Sequence, residues 1–73
     1  MPKLKIFSGK DVCSLLKEHG FVHTHTRGSH AIMRLQTAQG KITVPVPLHY
    51  ELAKGTLLSV IKQSQLPREY FEG

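Results

Sequence analysis

The chain is expected to adopt an α+β fold of two layers: a helix, three antiparallel strands and a second helix, with both helices on one face of the sheet. Three observations predict it. Apolar residues recur at helical spacing as far as Gly20, where the pattern changes to runs of β-branched and aromatic residues. Two short turn segments, Arg27-Gly28-Ser29 and Thr37-Ala38-Gln39-Gly40, separate three such runs and force neighbours to pair antiparallel. Helical spacing then returns after Gly55. Two helices of this length cannot cover both faces of the sheet, so one face is left open.

The elements follow in order. Residues Met1–Phe7 form a basic and apolar lead-in. Ser8 is placed to cap the first helix, its hydroxyl accepting from the backbone N–H of Asp11, and Asp11 brings negative charge to the first turn. Val12, Leu15, Leu16 and His19 make the helical stripe, and Gly20 suits a left-handed stop just after His19. The strands are expected over Phe21–Thr26, His30–Leu35 and Lys41–Val46, with Ile42, Val44 and Val46 on one face. Pro45 and Pro47 lack donors, so the third strand ends there or lies on an edge. The second helix opens at Gly55-Thr56, carries Leu57, Val60 and Ile61, and runs to about Gln65. Pro67 stops it and permits a short restart from which Tyr70 and Phe71 pack back.

Register decides what the open face presents. A three-residue loop, Arg27-Gly28-Ser29, pairs Thr26 with His30 and Thr24 with Ile32. It groups Phe21, Met33 and Leu35 in the core and Val22, Thr24, Thr26, His30, Ile32 and Arg34 on the other face. A two-residue turn would instead group Phe21, His23, His25, His30, Ile32 and Arg34. The first arrangement is preferred because its core face is uniformly apolar.

Composition narrows the class of function. At 73 residues the chain has room for one small domain, spanning 1–73, with a thin core. One cysteine rules out an intrachain disulfide framework and thiolate-rich zinc sites, and suits a reducing, cytoplasmic setting. No apolar run approaches the ~18 residues of a membrane span. Ten Lys and Arg against five Asp and Glu leave a net charge of +5, which draws anionic partners, nucleic acid first among them.

The predicted topology is that of the double-stranded RNA-binding domain, which reads A-form RNA by shape and phosphate contacts. The motifs go further. Ser8-Gly9-Lys10-Asp11 before a helix, Gly20-Phe21, Gly28-Ser29-His30, Thr43-Val44-Pro45-Val46, and Lys54-Gly55-Thr56-Leu57 running into Ile61-Lys62-Gln63 together resemble the HicA (YcfA-type) toxin family. The likeness covers roughly Ser8 to Phe71. It departs at the second turn, at Leu58 and at Met33, where family members often carry other residue types.

The resemblance implies a small double-stranded-RNA-binding-like fold that acts as an mRNA interferase, an endoribonuclease arresting translation. It also implies a HicB-like antitoxin as partner. The family's catalytic histidine falls on His30 alone, which leaves the second proton transfer to water or the substrate phosphate, and the glycine of the same motif falls on Gly28. The chemistry suits the residue: RNA carries its own nucleophile, the 2′-OH, and an imidazole exchanges protons near neutrality. Such attack needs no metal or cofactor. Gly28, Ser29, Arg27, Arg34, Lys10, Lys41 and Lys54 are the candidate RNA contacts, with a backbone N–H near Gly28 and the cations Arg27, Arg34 and Lys41 placed to steady phosphorane charge.

The other histidines and the aromatics read more plainly. His23 and His25, at i and i+2, are expected on one strand face as exposed bystanders rather than metal ligands. His19 favours the negative end of its helix, and His49 lies in the loop before the second helix. Cys13 flanks the helix stripe as a structural residue, and Tyr50, Tyr70 and Phe71 seal the core or meet a partner. The competing readings are a non-catalytic RNA-binding module of the same fold and a protein whose main role is complex formation with a regulator.

Overall fold

A computed structural model describes residues 3–73. The first two positions of the lead-in, Met1 and Pro2, lie outside the described residues. Helix α1 spans Gly9–Glu18, β1 Val22–Arg27, β2 His30–Thr37, β3 Gly40–Pro47 and α2 Lys54–Ser64, followed by a 3₁₀ turn, Arg68–Phe71. The sheet order is β1-β2-β3, antiparallel throughout. This is the expected helix, three-strand, helix order, and it is that of the double-stranded-RNA-binding-like fold.

Local chemistry accounts for α1 at both ends. Ser8 Oγ accepts from the Asp11 N–H at 3.0 Å, and Asp11 Oδ2 accepts from the Ser8 N–H at 3.0 Å. Two backbone donors at the start of the helix thus gain partners, and a cap of this kind contributes about 1 kcal/mol. At the other end Gly20 takes φ +95°, its N–H donates to the Lys17 carbonyl at 3.1 Å, and the Phe21 N–H donates to the Leu16 carbonyl at 3.0 Å. That double bond turns the chain back and buries Phe21 beside Leu16, as helices ending on a left-handed glycine do.

Both helices pack on one face of the sheet. Val12 and Leu16 of α1 and Leu57, Val60 and Ile61 of α2 share a core with Met33, Val44 and Val46. Each fully buried side chain of this size contributes about 1.5–3 kcal/mol. Gly9 brings the start of α1 so close to the end of β3 that a Cβ there would run into the Pro47 carbonyl. The termini also meet. The Lys5 N–H donates to the Phe71 carbonyl at 2.8 Å, Leu4 bridges Glu72, and the rings of Phe7 and Phe71 lie 5.7 Å apart. The 3₁₀ turn packs back as expected, but only Phe71 is fully buried. Tyr70 remains half-exposed and stacks on the His19 ring at 4.4 Å.

The register corrects the preferred alignment. Arg27 pairs with His30, so the first hairpin turns on two residues, Gly28 and Ser29, rather than three. Gly28 sits at φ +59° in the first central position, the requirement of a type II′ turn, whose twist matches that of the strands. The pairing then slips by one residue between His23 and His25. Thr24 is the extra residue of a β-bulge. Two departures in sequence therefore cancel. The short turn shifts β1 by one residue, the bulge shifts it back, and Phe21 still reaches the core, 3% exposed.

Candidate functional site

The face of the sheet away from the helices is set by alternation from the buried residues. Ala31 and Met33 of β2 are buried toward the helices, so His30, Ile32 and Arg34 point the other way. Their partners on β1 are Arg27, His25 and Val22, in that order. Partners directly opposite in an antiparallel pair share a face. The open face thus carries His25, Arg27, His30 and Arg34 around the half-buried Ile32. The Arg34 Nε donates to Thr43 Oγ1 across β3 at 3.4 Å, which holds its guanidinium over that face.

No carboxylate opposes these groups. The five acidic residues are Asp11, Glu18, Glu51, Glu69 and Glu72, so the stretch 19–50 holds none, yet it holds all five histidines together with Arg27, Arg34 and Lys41. The acids lie on the helices, the loop after β3 and the C-terminal segment. The stretch 19–50 therefore carries a formal charge of +3 from Arg27, Arg34 and Lys41 with no acid of its own to offset it.

His30 is the first residue of β2, exposed, at the mouth of the Gly28-Ser29 turn. The turn is braced from β3's end, where the Leu48 N–H donates to the Ser29 carbonyl at 2.7 Å. Arg27 faces His30 directly across the hairpin, and His25 is its diagonal neighbour. Thr24, left out of the ladder, binds two groups: its hydroxyl donates to the Ile32 carbonyl at 3.2 Å, and its oxygen lies 3.0 Å from His25 Nδ1.

His23 and His25 do not share a face, contrary to expectation, because the bulge at Thr24 separates them. His23 pairs with buried Met33 and so faces the helix layer, where its Nε2 is hydrogen-bonded to Thr26 Oγ1 at 2.9 Å. There it lines a groove of about 280 Å³ with Lys10, Cys13, Ser14 and Lys17 of α1. Burial pushes the Cys13 thiol above its ordinary value, against a weaker opposing pull from Lys17. Among the described residues no three His, Cys, Asp or Glu side chains are grouped to hold a metal ion.

The candidate contacts are only partly brought together. Arg27, Gly28, Ser29 and His30 form one hairpin end, with Arg34 further along the same face. Lys10 lies across the β1 edge, in the groove on the helix side. Lys41 pairs with Gln36, six residues along β2 from His30 and hence roughly 20 Å away at the rise of a strand. Lys54 opens α2 and lines a separate groove with Lys3, Lys5 and Arg68, whose guanidinium is paired to Glu72 at 3.0 Å. His49 and Tyr50 are exposed in the loop after β3, where the His49 carbonyl accepts from the Gly9 N–H at 2.8 Å. The grouping of His25 with His30 was missed by the preferred register. The signal that could have found it is Gly28-Ser29 itself, a glycine-first dipeptide typical of a two-residue hairpin turn.

No helix among the described residues is long and apolar enough to cross a membrane. The family model described as the HicA toxin of bacterial toxin-antitoxin matches residues 9–66, from the first residue of α1 to just beyond α2. A comparison with curated proteins returns no match.

Proposed function

Since the chain belongs to the HicA toxin family of bacterial toxin–antitoxin systems, we propose that it is an mRNA interferase, an endoribonuclease that cuts messenger RNA and arrests translation in the cytoplasm. Its partner is a HicB-like antitoxin that silences it. The observation that carries this reading is the position of His30: exposed, at a braced hairpin end, on an acid-free face and opposite Arg27.

The chemistry follows from that placement. The 2′-OH of the substrate attacks the adjacent phosphorus, the new 2′-O–P bond forms and the P–O5′ bond breaks. The products are a 2′,3′-cyclic phosphate and a 5′-hydroxyl. An imidazole at His30 exchanges a proton with one of the reacting oxygens near neutral pH. The guanidinium of Arg27 directly across the hairpin, and that of Arg34 on the same face, stabilise the charge that builds on the phosphorane. Cations without nearby carboxylates are not neutralised within the molecule, so their charge remains available to the phosphate.

A paired induction tests the proposal. The wild-type chain and His30→Ala are expressed without antitoxin, and growth and the integrity of a reporter mRNA are followed. Growth arrest and mRNA loss with the wild type, both abolished in a folded His30→Ala protein, are expected. Equal mRNA loss with the two removes His30 from the mechanism. Intact mRNA with the wild type favours the non-catalytic RNA-binding module. Cleavage products bearing a 5′-phosphate rule out attack by the 2′-OH.

A further inference from the structure

Cleavage through the 2′-OH moves two protons, one off the attacking oxygen and one onto the leaving 5′ oxygen, and a single imidazole cannot face both sides of the phosphorus at once. We infer that His25 takes the first of them: it is the general base for the 2′-OH, and His30 is the acid that protonates the leaving oxygen. This inference rests on the RNA cleavage proposed above and adds a second catalytic residue to it.

Register supplies the first argument. His25 pairs with Ile32 and Arg27 pairs with His30, so His25 and His30 are diagonal neighbours on the open face, roughly 7–8 Å apart, within reach of rings extending from both strands. Arg27 adjoins both, next on its own strand's open face to His25 and directly opposite His30. A phosphate held by Arg27 would have one imidazole on either side, as in-line displacement requires. His23, though only two residues from His25, is on the helix side of the sheet and cannot join them.

Hydrogen bonding supplies the second. The Thr24 hydroxyl has one proton, and it is donated to the Ile32 carbonyl. With the proton so engaged, its oxygen accepts from His25 Nδ1, 3.0 Å away, when His25 is in the tautomer that carries its proton there. That tautomer of neutral His25 satisfies both Thr24 contacts at once and presents the lone pair of Nε2, the form a general base needs. The bulge that removes Thr24 from the ladder is what places its hydroxyl between these two partners.

The step balances. Nε2 of His25 receives the 2′-OH proton as the 2′-O–P bond forms, and protonated His30 gives its proton to O5′ as the P–O5′ bond breaks. Exchange with water returns both rings to their starting forms.

The test uses the purified full chain, a short RNA and the same RNA with sulfur in place of the leaving 5′ oxygen, since a thiolate departs without a proton. His25→Ala and His25→Gln, at an exposed position, are expected to melt as the wild type does and to cleave about 10²- to 10⁴-fold more slowly on both substrates. His30→Ala should be equally slow on ordinary RNA and recover on the sulfur substrate. Wild-type rates in both His25 variants, with His30→Ala inactive, overturn the role of His25 and leave the proposed function standing. Recovery of the His25 variants instead of His30→Ala overturns the assignment of base and acid. A wild-type chain that cleaves neither substrate overturns the proposed function and this inference together.

Discussion

His23 and His25 lie two residues apart on one strand and face opposite sides of the sheet. Thr24 between them is bulged out of the ladder, so the alternation of β1 is broken at that point alone. One histidine joins α1's lysines over the helix layer, and the other joins His30 and Arg27 on the open face.

Removing Thr24 should cost far more stability than truncating it. Without the extra residue the near end of β1 must slip by one, which turns Phe21 out of the core or breaks the hairpin at Gly28-Ser29. The expected loss is about 2–3 kcal/mol, the burial of one Phe. Thr24→Ala gives up only exposed hydrogen bonds, and should lose less than about 1 kcal/mol. Urea midpoints of the two variants measure the difference, and equal midpoints would contradict the compensating bulge.

Gly9 and Gly28 are required for different reasons, and two substitutions separate them. At Gly9 any Cβ meets the Pro47 backbone, so Gly9→Ala should cost about 1–3 kcal/mol and Gly9→Asn no less. At Gly28 nothing lies within 4 Å of a Cβ, and the obstacle is the positive φ of +59°. Gly28→Ala should cost about 1–2 kcal/mol and Gly28→Asn less, because Asn is among the residues that primed turns accept at φ > 0. Thermal melts of the four variants check the ordering.

The cap of α1 makes stability depend on acid pH. The backbone and side-chain hydrogen bonds from Ser8 hold the Asp11 carboxyl below its ordinary value. A carboxyl whose folded value is depressed contributes stability that is present above its unfolded value, near pH 4, and lost as pH falls through the folded value. Asp11→Asn should therefore be less stable than the wild type at neutral pH, and the two melting temperatures should converge in acid. Ser8→Ala should lose about 1 kcal/mol at neutral pH. A constant gap between the wild type and Asp11→Asn across the acid range would show that the carboxylate form contributes nothing.

RNA binding should sense the dispersal of the basic residues. Arg34→Ala should weaken binding of a di- or trinucleotide and of a long single strand alike, and each lost phosphate contact should lower the salt slope by about 0.7. Lys41→Ala should affect only the long strand, because Lys41 lies roughly 20 Å from the hairpin end. Titrations at several salt concentrations measure both. Loss of short-oligonucleotide binding in Lys41→Ala would place the strand differently on the sheet.

Much of this molecule was legible one residue at a time. Ser8 as cap, Gly20 as stop, the two turn segments and the helical stripe of α2 are signals carried by neighbours in the chain. Each acts through short-range sterics and hydrogen bonds that the fold does not override. The motif that placed a candidate catalytic residue at His30 was local as well. The chain by itself therefore determined the order of elements, the two layers and the family. Tertiary structure decided the rest. The two-residue turn competed with a three-residue one, and the bulge that restored Phe21 to the core depends on β2 and the helix layer together, neither of which is visible within β1. The pairing of the lead-in with the C-terminal segment joins residues at the two ends of the chain, whose closure no local pattern encodes. Only once those long-range contacts form does His25 stand beside His30 and Arg27, with Thr24 holding its ring, while Lys41 and Lys54 are carried to other parts of the surface.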